Sequence, residues 1–466
     1  MQNIAEIKLW GKLVGALSYD PSTQLTTFEY SADWIKQRVE IAPLNMPLPF
    51  QGAAQAGSRI YQFPHLSTDT YHGLPAVFSD TLPDDFGNAV INAWLAKNGR
   101  DSNSFTALER LLYIGKRGMG ALEFEPALSK TSKITQQLEL DSLIQMAQKI
   151  LDQRSHLAQT FSTKADESDN AMSALFQVGT SAGGARAKAL VAINSDRSEL
   201  RSGQIDAPIG FEHFLLKFDG VEEHKKDSEV FGDPQGFGRM EYAYYLMAKD
   251  AGINISHSEL LIDGERAHFI TRRFDRGTDK AHNANTHDSP NNPNNNNNRN
   301  RKKHYISLCA IDHADYKKPG AYSYEQLLGV VRQLRLPRED AIEVYRRMVF
   351  NVIARNHDDH TKNTGFILDS PQASWRLSPA FDIAYSYKKD SPWVNAHQMS
   401  INGKRDGFSR EDLFAVAELI GNFKKESQQI FDEVMTVVKN WKNYAEQAGV
   451  LENLAMQIES NLRLDL

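Results

Sequence analysis

Asn356-His357-Asp358-Asp359-His360-Thr361-Lys362-Asn363, followed downstream by Leu377-Ser378-Pro379-Ala380-Phe381-Asp382, decides the reading of this chain. Asp358 and Asn363 stand in an Asp-x4-Asn arrangement. That is the interval at which a phosphoryl-transfer loop holds its base and its metal-binding amide. Asp382, on a separate short segment, adds a carboxylate. An amide oxygen, a carboxylate and phosphate oxygens form the hard donor set that Mg²⁺ takes. Phosphoryl transfer asks little more of a protein than positioning and charge neutralisation.

A lone Asp-x4-Asn also arises in a solvated loop at a helix end, so its surroundings matter. An apolar helix is expected over 338–355, and it delivers the loop. Two β-like pieces follow, Gly365-Phe366-Ile367-Leu368 and Ser374-Trp375-Arg376-Leu377, with Asp382 just beyond. This order makes Asp358 the candidate catalytic base, which accepts or orients a hydroxyl proton. Asn363 and Asp382 are the candidate Mg²⁺ ligands. Lys362 is a candidate for neutralising charge on the transferring group, with a plain surface lysine as the alternative. His357, Asp359 and His360 raise a transition-metal reading. Consecutive loop residues rarely face one ion, and hydrogen-bonding support of the loop is expected of His360.

Working upstream, Gly179-Thr180-Ser181-Ala182-Gly183-Gly184-Ala185-Arg186-Ala187-Lys188 precedes an expected strand at 189–193. Small residues let backbone N–H groups approach phosphates closely. The segment matches neither GxxxxGK[ST] nor GxGxxG, and a flexible loop is the alternative. Lys217 interrupts the apolar run Phe214-Leu215-Leu216-Lys217-Phe218. A strand lysine ordinarily snorkels to solvent. A kinase-like small lobe instead needs one lysine on a central strand for the α/β-phosphates, with an acid on the next helix, here Glu241.

Residues 4–30 alternate as a β-meander. Helices are expected at 85–97 and 108–114, a strand at 122–124 and an amphipathic helix at 138–153. Residues 163–171 read as a linker. Strands are expected at 213–218 and 267–274, with a helix at 239–251 between them. After 304 the pattern is almost wholly helical (323–334, 338–355, 410–420, 424–447 and 450–462), apart from a β segment at 363–385. Residues 278–303 contain the run Asn294 to Asn298 and are expected to be a disordered insertion. Arg299, Arg301, Lys302 and Lys303 at its end read as a solvated basic tail, with partner docking as the alternative. The expected division is 1–130, an N-terminal subdomain; 131–275, a small lobe with a phosphate loop; 276–303, the insertion; and 304–466, a helical lobe carrying the catalytic loop.

The chain has 466 residues, of which 41% are hydrophobic and 24% charged, enough for two or three packed domains. A formal net charge of −6 argues against nucleic-acid or membrane binding across the whole surface. The single cysteine, Cys309, permits no internal disulfide and reads as a buried thiol. No signal peptide or membrane-spanning run is visible, so a cytoplasmic location is expected.

Taken together, these residues resemble the HipA family of bacterial toxin–antitoxin serine/threonine kinases. Leu82-Pro83-Asp84 and Arg117-Gly118-Met119-Gly120-Ala121-Leu122 look like its N-terminal subdomain. Ser181 to Lys188 look like its Ser-x-x-Gly-x-x-x-Lys segment, and Arg272-Arg273-Phe274-Asp275-Arg276 like its Glu-Arg-Phe-Asp-Arg stretch at the lobe junction. Asp358 to Asn363 and Leu377 to Asp382 look like its catalytic and metal segments. The resemblance implies an α+β, kinase-like two-lobe fold with a small N-terminal α/β subdomain and a mainly helical C-terminal lobe. It implies ATP and Mg²⁺ as cofactors. ATP contacts would come from Lys217, Ser181, Ala182, Gly183 and Gly184, and Ser181 would be an autophosphorylation site that switches the kinase off. A phosphate there adds roughly −1.5 to −2 charge beside ATP, and repulsion predicts inhibition. The implied partners are a HipB-like helix-turn-helix antitoxin, with DNA reached only through it, and a protein substrate such as an aminoacyl-tRNA synthetase whose inactivation arrests growth. Arg272 departs from the family's glutamate near the adenine hinge. Two rival readings stand beside it: a kinase-fold phosphotransferase acting on a small molecule or lipid, which shares the aspartates, and a catalytically weak co-regulator of an antitoxin, against which the complete base-and-metal set argues.

Overall fold

The computed structural model describes residues 3–49, 58–83, 85–97, 99–101, 105–128, 138–152, 187–204, 206–222, 232–233, 235–277 and 301–466. Ser181, Ala182, Gly183 and Gly184, the 163–171 linker, and positions 278–300 of the asparagine-rich segment lie outside these residues.

Period-two alternation builds the first sheet. In the strand Ile4–Leu9 the inward residues are Ala5, Ile7 and Leu9. This strand lies between Lys12–Asp20 and Leu122–Glu125, and the sheet continues through Leu25–Tyr30 to Ile60–Tyr61. The second sheet is antiparallel throughout, in the order Ser258–Asp263, Arg266–Arg272, Phe211–Lys217, Lys188–Asn194, Leu200–Ser202. Lys217 therefore ends the central strand. The helices Asp85–Lys97 and Leu140–Asp152 share this sheet's core, with Phe86, Val90 and Ile144 clustered with Val191, Phe214 and Leu216.

From residue 304 onward the chain carries the helical lobe, with helices Tyr324–Gln333, Arg338–Ile353, Arg410–Ala417, Lys424–Lys439, Trp441–Ala448 and Glu452–Glu459. The α+β, two-lobe class expected from the sequence is the fold observed. No helix among the described residues is long and apolar enough to cross a membrane.

Three local expectations are corrected. The almost wholly helical pattern after 304 misses the strand His304–Ser307, which pairs with Gly365–Leu368, itself paired with Arg376–Leu377. The apolar run 306–311 splits at Ser307, whose hydroxyl caps the short helix Leu308–Ile311 by accepting from Ala310 N at 3.2 Å. So short a run carries no distinguishing period. The single helix expected over 424–447 breaks at Asn440, whose side chain turns back to the Thr436 carbonyl at 3.1 Å. The break redirects the chain so that Trp441 is buried, with its Nε1 donating to Ala455 O at 2.9 Å.

The basic tail is the third correction. Lys302 bonds Lys116 O at 2.7 Å and Glu123 Oε1 at 2.9 Å, and Lys303 pairs with Asp369 at 3.0 Å. Gly277 N meets Arg301 O at 2.9 Å and Lys303 N meets Asp275 O at 3.0 Å, so the two ends of the insertion are zipped together. These cations tie elements to one another, a role that composition does not reveal.

Candidate active site

The helix Arg338–Ile353 delivers the loop that carries the candidate base Asp358. Val344, Met348, Val349, Phe350, Val352 and Ile353 are all buried, each worth about 1.5–3 kcal/mol. The loop that follows is held at several points. Asn356 N bonds Asn351 O at 2.9 Å, and Thr361 Oγ1 donates to Ala314 O at 2.6 Å. Asp359, beside the candidate base, is buried. It accepts from Tyr324 OH at 2.8 Å and from Gln398 N at 2.7 Å, and it contacts His397 Nδ1 at 2.9 Å. Asp359 therefore anchors the loop, and so does His357. His357 is fully buried, its ring tilted against that of His397 at a centroid distance of 4.2 Å and next to Arg355. Burial, then the neighbouring His397 and Arg355, push its pKa down to about 2, so the ring stays neutral. Among the described residues no group of three or more His, Cys, Asp or Glu side chains could hold a metal. The transition-metal reading of the His-Asp-Asp-His run finds no support there.

Asp358 is partly exposed at the loop surface, with His360 Nε2 3.7 Å from its Oδ1. Asn363 Nδ2 donates to the Asp358 carbonyl at 2.8 Å. That bond fixes the amide and leaves Asn363 Oδ1 as its acceptor end, the orientation a cation ligand requires. Lys362 lies 5.2 Å from the Tyr316 ring centroid, and His360 packs on the same ring.

From the other lobe comes Lys217. Its ammonium bonds Glu241 Oε1 at 2.9 Å and also Asp382 Oδ1. Three residues from a central strand, the next helix and the metal-segment loop thus meet at one nitrogen. Two features set this alignment. Asp219, just past the strand, accepts from Gly236 N at 2.8 Å and from Ala267 N at 3.1 Å, so it pins the start of the helix Phe237–Asp250. Gly238 lets that helix approach the neighbouring strand, since a Cβ there would stand 2.0 Å from Ala267 O. Lys188 pairs directly across from Lys217 in the sheet, and both are buried. Like charges directly opposite repel, and two cations on one face suit an anionic ligand.

Asp382 adopts a left-handed backbone, φ 56°, which Asp tolerates better than most residues. Phe381 before it packs against Phe274 and Tyr305 at centroid distances of 5.5 and 6.3 Å. Arg347 donates to the Ser378 carbonyl at 2.9 Å. Asn363 and Asp382 line one cavity. Asn363 and Asp382 supply an amide and a carboxylate oxygen, a donor set that fits Mg²⁺.

The Arg-Phe-Asp-Arg stretch is a clasp. Buried Asp275 accepts from Gly120 N at 2.7 Å and from Arg273 and Arg276 at 2.6 Å each. Arg276 also donates to Gly120 O and Gly118 O at 3.1 and 3.2 Å. Burial raises the Asp275 pKa, but the two guanidiniums outweigh it and hold the carboxyl well below its usual range. Arg272 ends its strand 3.6 Å from Glu212. The sequence reading missed Asp219, Asp359 as an anchor, His397 and Phe274. Asp359 and Phe274 lay inside quoted motifs, and Asp219 and His397 did not.

The HipA-like C-terminal domain matches residues 180–441, and the HipA N-terminal domain matches residues 5–125. Comparison with curated proteins returned no match. Among solved structures, Shewanella oneidensis MR-1 HipA, determined in complex with HipB and its operator DNA, superposes with a TM-score of 0.63 at 14% identity. That alignment covers 98% of this chain and 95% of that one. The Helicobacter pylori proinflammatory kinase CtkA aligns at 10% identity over 59% of this chain and 93% of that one, and its TM-score of 0.30 is too low to carry an argument. With more than half its length matched by the C-terminal domain and most of the N-terminal sheet by the other, this chain belongs to the HipA family.

Proposed function

We propose that the protein is an ATP- and Mg²⁺-dependent serine/threonine protein kinase, the toxin of a toxin–antitoxin pair. The observation that carries this reading is the meeting of Lys217 with both Glu241 and Asp382, opposite a loop in which Asn363 is tied to Asp358. In this reading Asp358 accepts the proton of a protein hydroxyl as the γ-phosphoryl passes to that oxygen and ADP leaves. Lys217 contacts the α/β-phosphates, Glu241 holds Lys217, and Lys362 offsets charge on the phosphoryl group. Asn363 and Asp382 would hold Mg²⁺, which when bound would neutralise phosphate charge. Ala182, Gly183 and Gly184, outside the described residues, would contribute contacts to ATP, and Ser181 would be the residue whose self-phosphorylation shuts the enzyme down. The solved relative was captured with HipB and operator DNA, which supports a small helix-turn-helix antitoxin as partner. The substrate is then a translation protein in the cytoplasm, of the aminoacyl-tRNA synthetase kind, whose loss arrests growth.

Radiolabel transfer from [γ-³²P]ATP tests this reading. Asp358→Ala and Asp382→Ala each lose transfer to protein, by at least about 100-fold, and no longer arrest growth on expression. Transfer that persists in both variants removes the assignment. Label found only on small molecules replaces the protein substrate with a metabolite.

A further inference from the structure

A directional chain of hydrogen bonds runs behind the catalytic loop. It begins at Asp359, to which Tyr324 donates its only hydroxyl proton at 2.8 Å. The Tyr324 oxygen must then accept, and it does so from Asn351 Nδ2 at 3.0 Å. This orients the Asn351 amide, whose Oδ1 accepts from Asn356 Nδ2 at 2.9 Å. The orientation of Asn356 follows, and its Oδ1 is left as an acceptor. That atom is buried, in a residue only 3% exposed, and has no donor among the described residues. An unmet buried acceptor costs about 1–3 kcal/mol.

Asn356 lines a cavity of about 30 Å³, together with Arg347, Asn351, Asp359, Asn363 and Asp382. One water needs roughly 10–15 Å³ and two to four polar partners, and this space offers both. Asp359 and Asp382 disfavour an anion there, and Asn356 Oδ1, an acceptor, calls for a hydrogen-bond donor. A neutral molecule that donates and accepts meets both conditions. We propose that the cavity is a built site for an ordered water that donates to Asn356 Oδ1 and couples the Asp359–Tyr324–Asn351–Asn356 chain to the face carrying Asn363 and Asp382. Asn356 is then a positioning residue for the metal-binding face, a role that rests on the kinase reading, whereas the water itself does not.

A crystal structure of the full chain, at a resolution that reveals ordered solvent, tests the water directly. The expected result is a water within about 3.2 Å of Asn356 Oδ1. A dry cavity, a protein donor on that oxygen, or an ion in its place overturns the proposal. Binding of Mn²⁺ with a non-hydrolysable ATP analogue, measured by calorimetry without turnover, tests the coupling. Asn356→Ala is expected to weaken Mn²⁺ binding about tenfold. Unchanged affinity in a folded Asn356→Ala protein overturns the positioning role. If that variant does not fold, the electron density decides. A parent protein that binds no Mn²⁺–nucleotide removes the kinase reading and leaves the water to stand or fall on its density.

Discussion

Lys217 and Glu241 form an ion pair whose side chains are 6% and 3% exposed. Such a pair is costly to break, because the remaining partner stays charged in a low-dielectric interior. Lys217→Met is expected to lower unfolding free energy by about 3 kcal/mol in urea titrations. Lys217→Met combined with Glu241→Leu should recover most of that loss, because it removes the stranded carboxylate. Neither variant should transfer phosphate. Additive losses in the double variant would mean that the two residues act independently. Asp382 is a contrasting case: at 29% side-chain exposure its removal should cost little stability, so a loss of activity there is a chemical effect.

At the scale of elements, the clasp Arg273-Phe274-Asp275-Arg276 locks the glycine-rich turn at 118–120 to the strand pair that follows. Asp275→Ala leaves two buried guanidiniums facing each other. It should cost about 3–5 kcal/mol and open residues 115–120 to limited proteolysis, and a protease-resistant turn in that variant would argue against the clasp. Buried histidines shape the response of the same elements to pH. Burial holds His304 at about 4, and burial with neighbouring cations holds His357 at about 2, against an ordinary 6.5. The unfolded chain takes up both protons as pH falls through about 6.5, while the folded chain does not until about 4 or lower. Stability is therefore fully present above about 6.5 and is lost as pH falls below it, by up to about 1.4 kcal/mol per pH unit for each histidine. Urea midpoints at pH 7, 6 and 5 should decline in that order, and His304→Gln should shallow the decline. A midpoint that rises toward pH 5 contradicts this account.

Across the whole molecule, the lobes are joined by paired chain ends and by shared core. Tyr244 of the helix Phe237–Asp250 packs against Phe350 and Trp441 of the helical lobe, at centroid distances of 6.3 and 5.5 Å. The insertion enters and leaves through the Arg276–Lys302 bridge. A short turn can close that antiparallel bridge, so replacing residues 278–300 with a four-residue linker should preserve the fold. The smaller loop-closure entropy predicts stability equal to or about 1 kcal/mol above the parent. Thermal melting and [γ-³²P]ATP transfer would measure this. A collapse in melting temperature would show that the segment contributes packing of its own.

The candidate site segments could be picked out because phosphoryl transfer would demand particular side chains at particular intervals. Asp358, Asn363 and Asp382 announced themselves by spacing, and Lys217 by standing where an apolar strand has no ordinary use for a charge. Long periodic elements were legible for a similar reason: the helices Asp85–Lys97 and Arg338–Ile353 repeat their apolar face often enough to be read. Short edge strands such as Leu200–Ser202, the strand His304–Ser307 and the break at Asn440 were not, because too few residues carry their pattern. The tertiary structure alone decided which acids and cations meet. Asp359 became an anchor instead of a ligand, Lys302 became a tie instead of a tail, and Asp219 set the helix that brings Glu241 to Lys217. Hydrogen bonds and ion pairs form between groups brought within about 3 Å by the packing of distant elements, and local sequence does not encode that proximity.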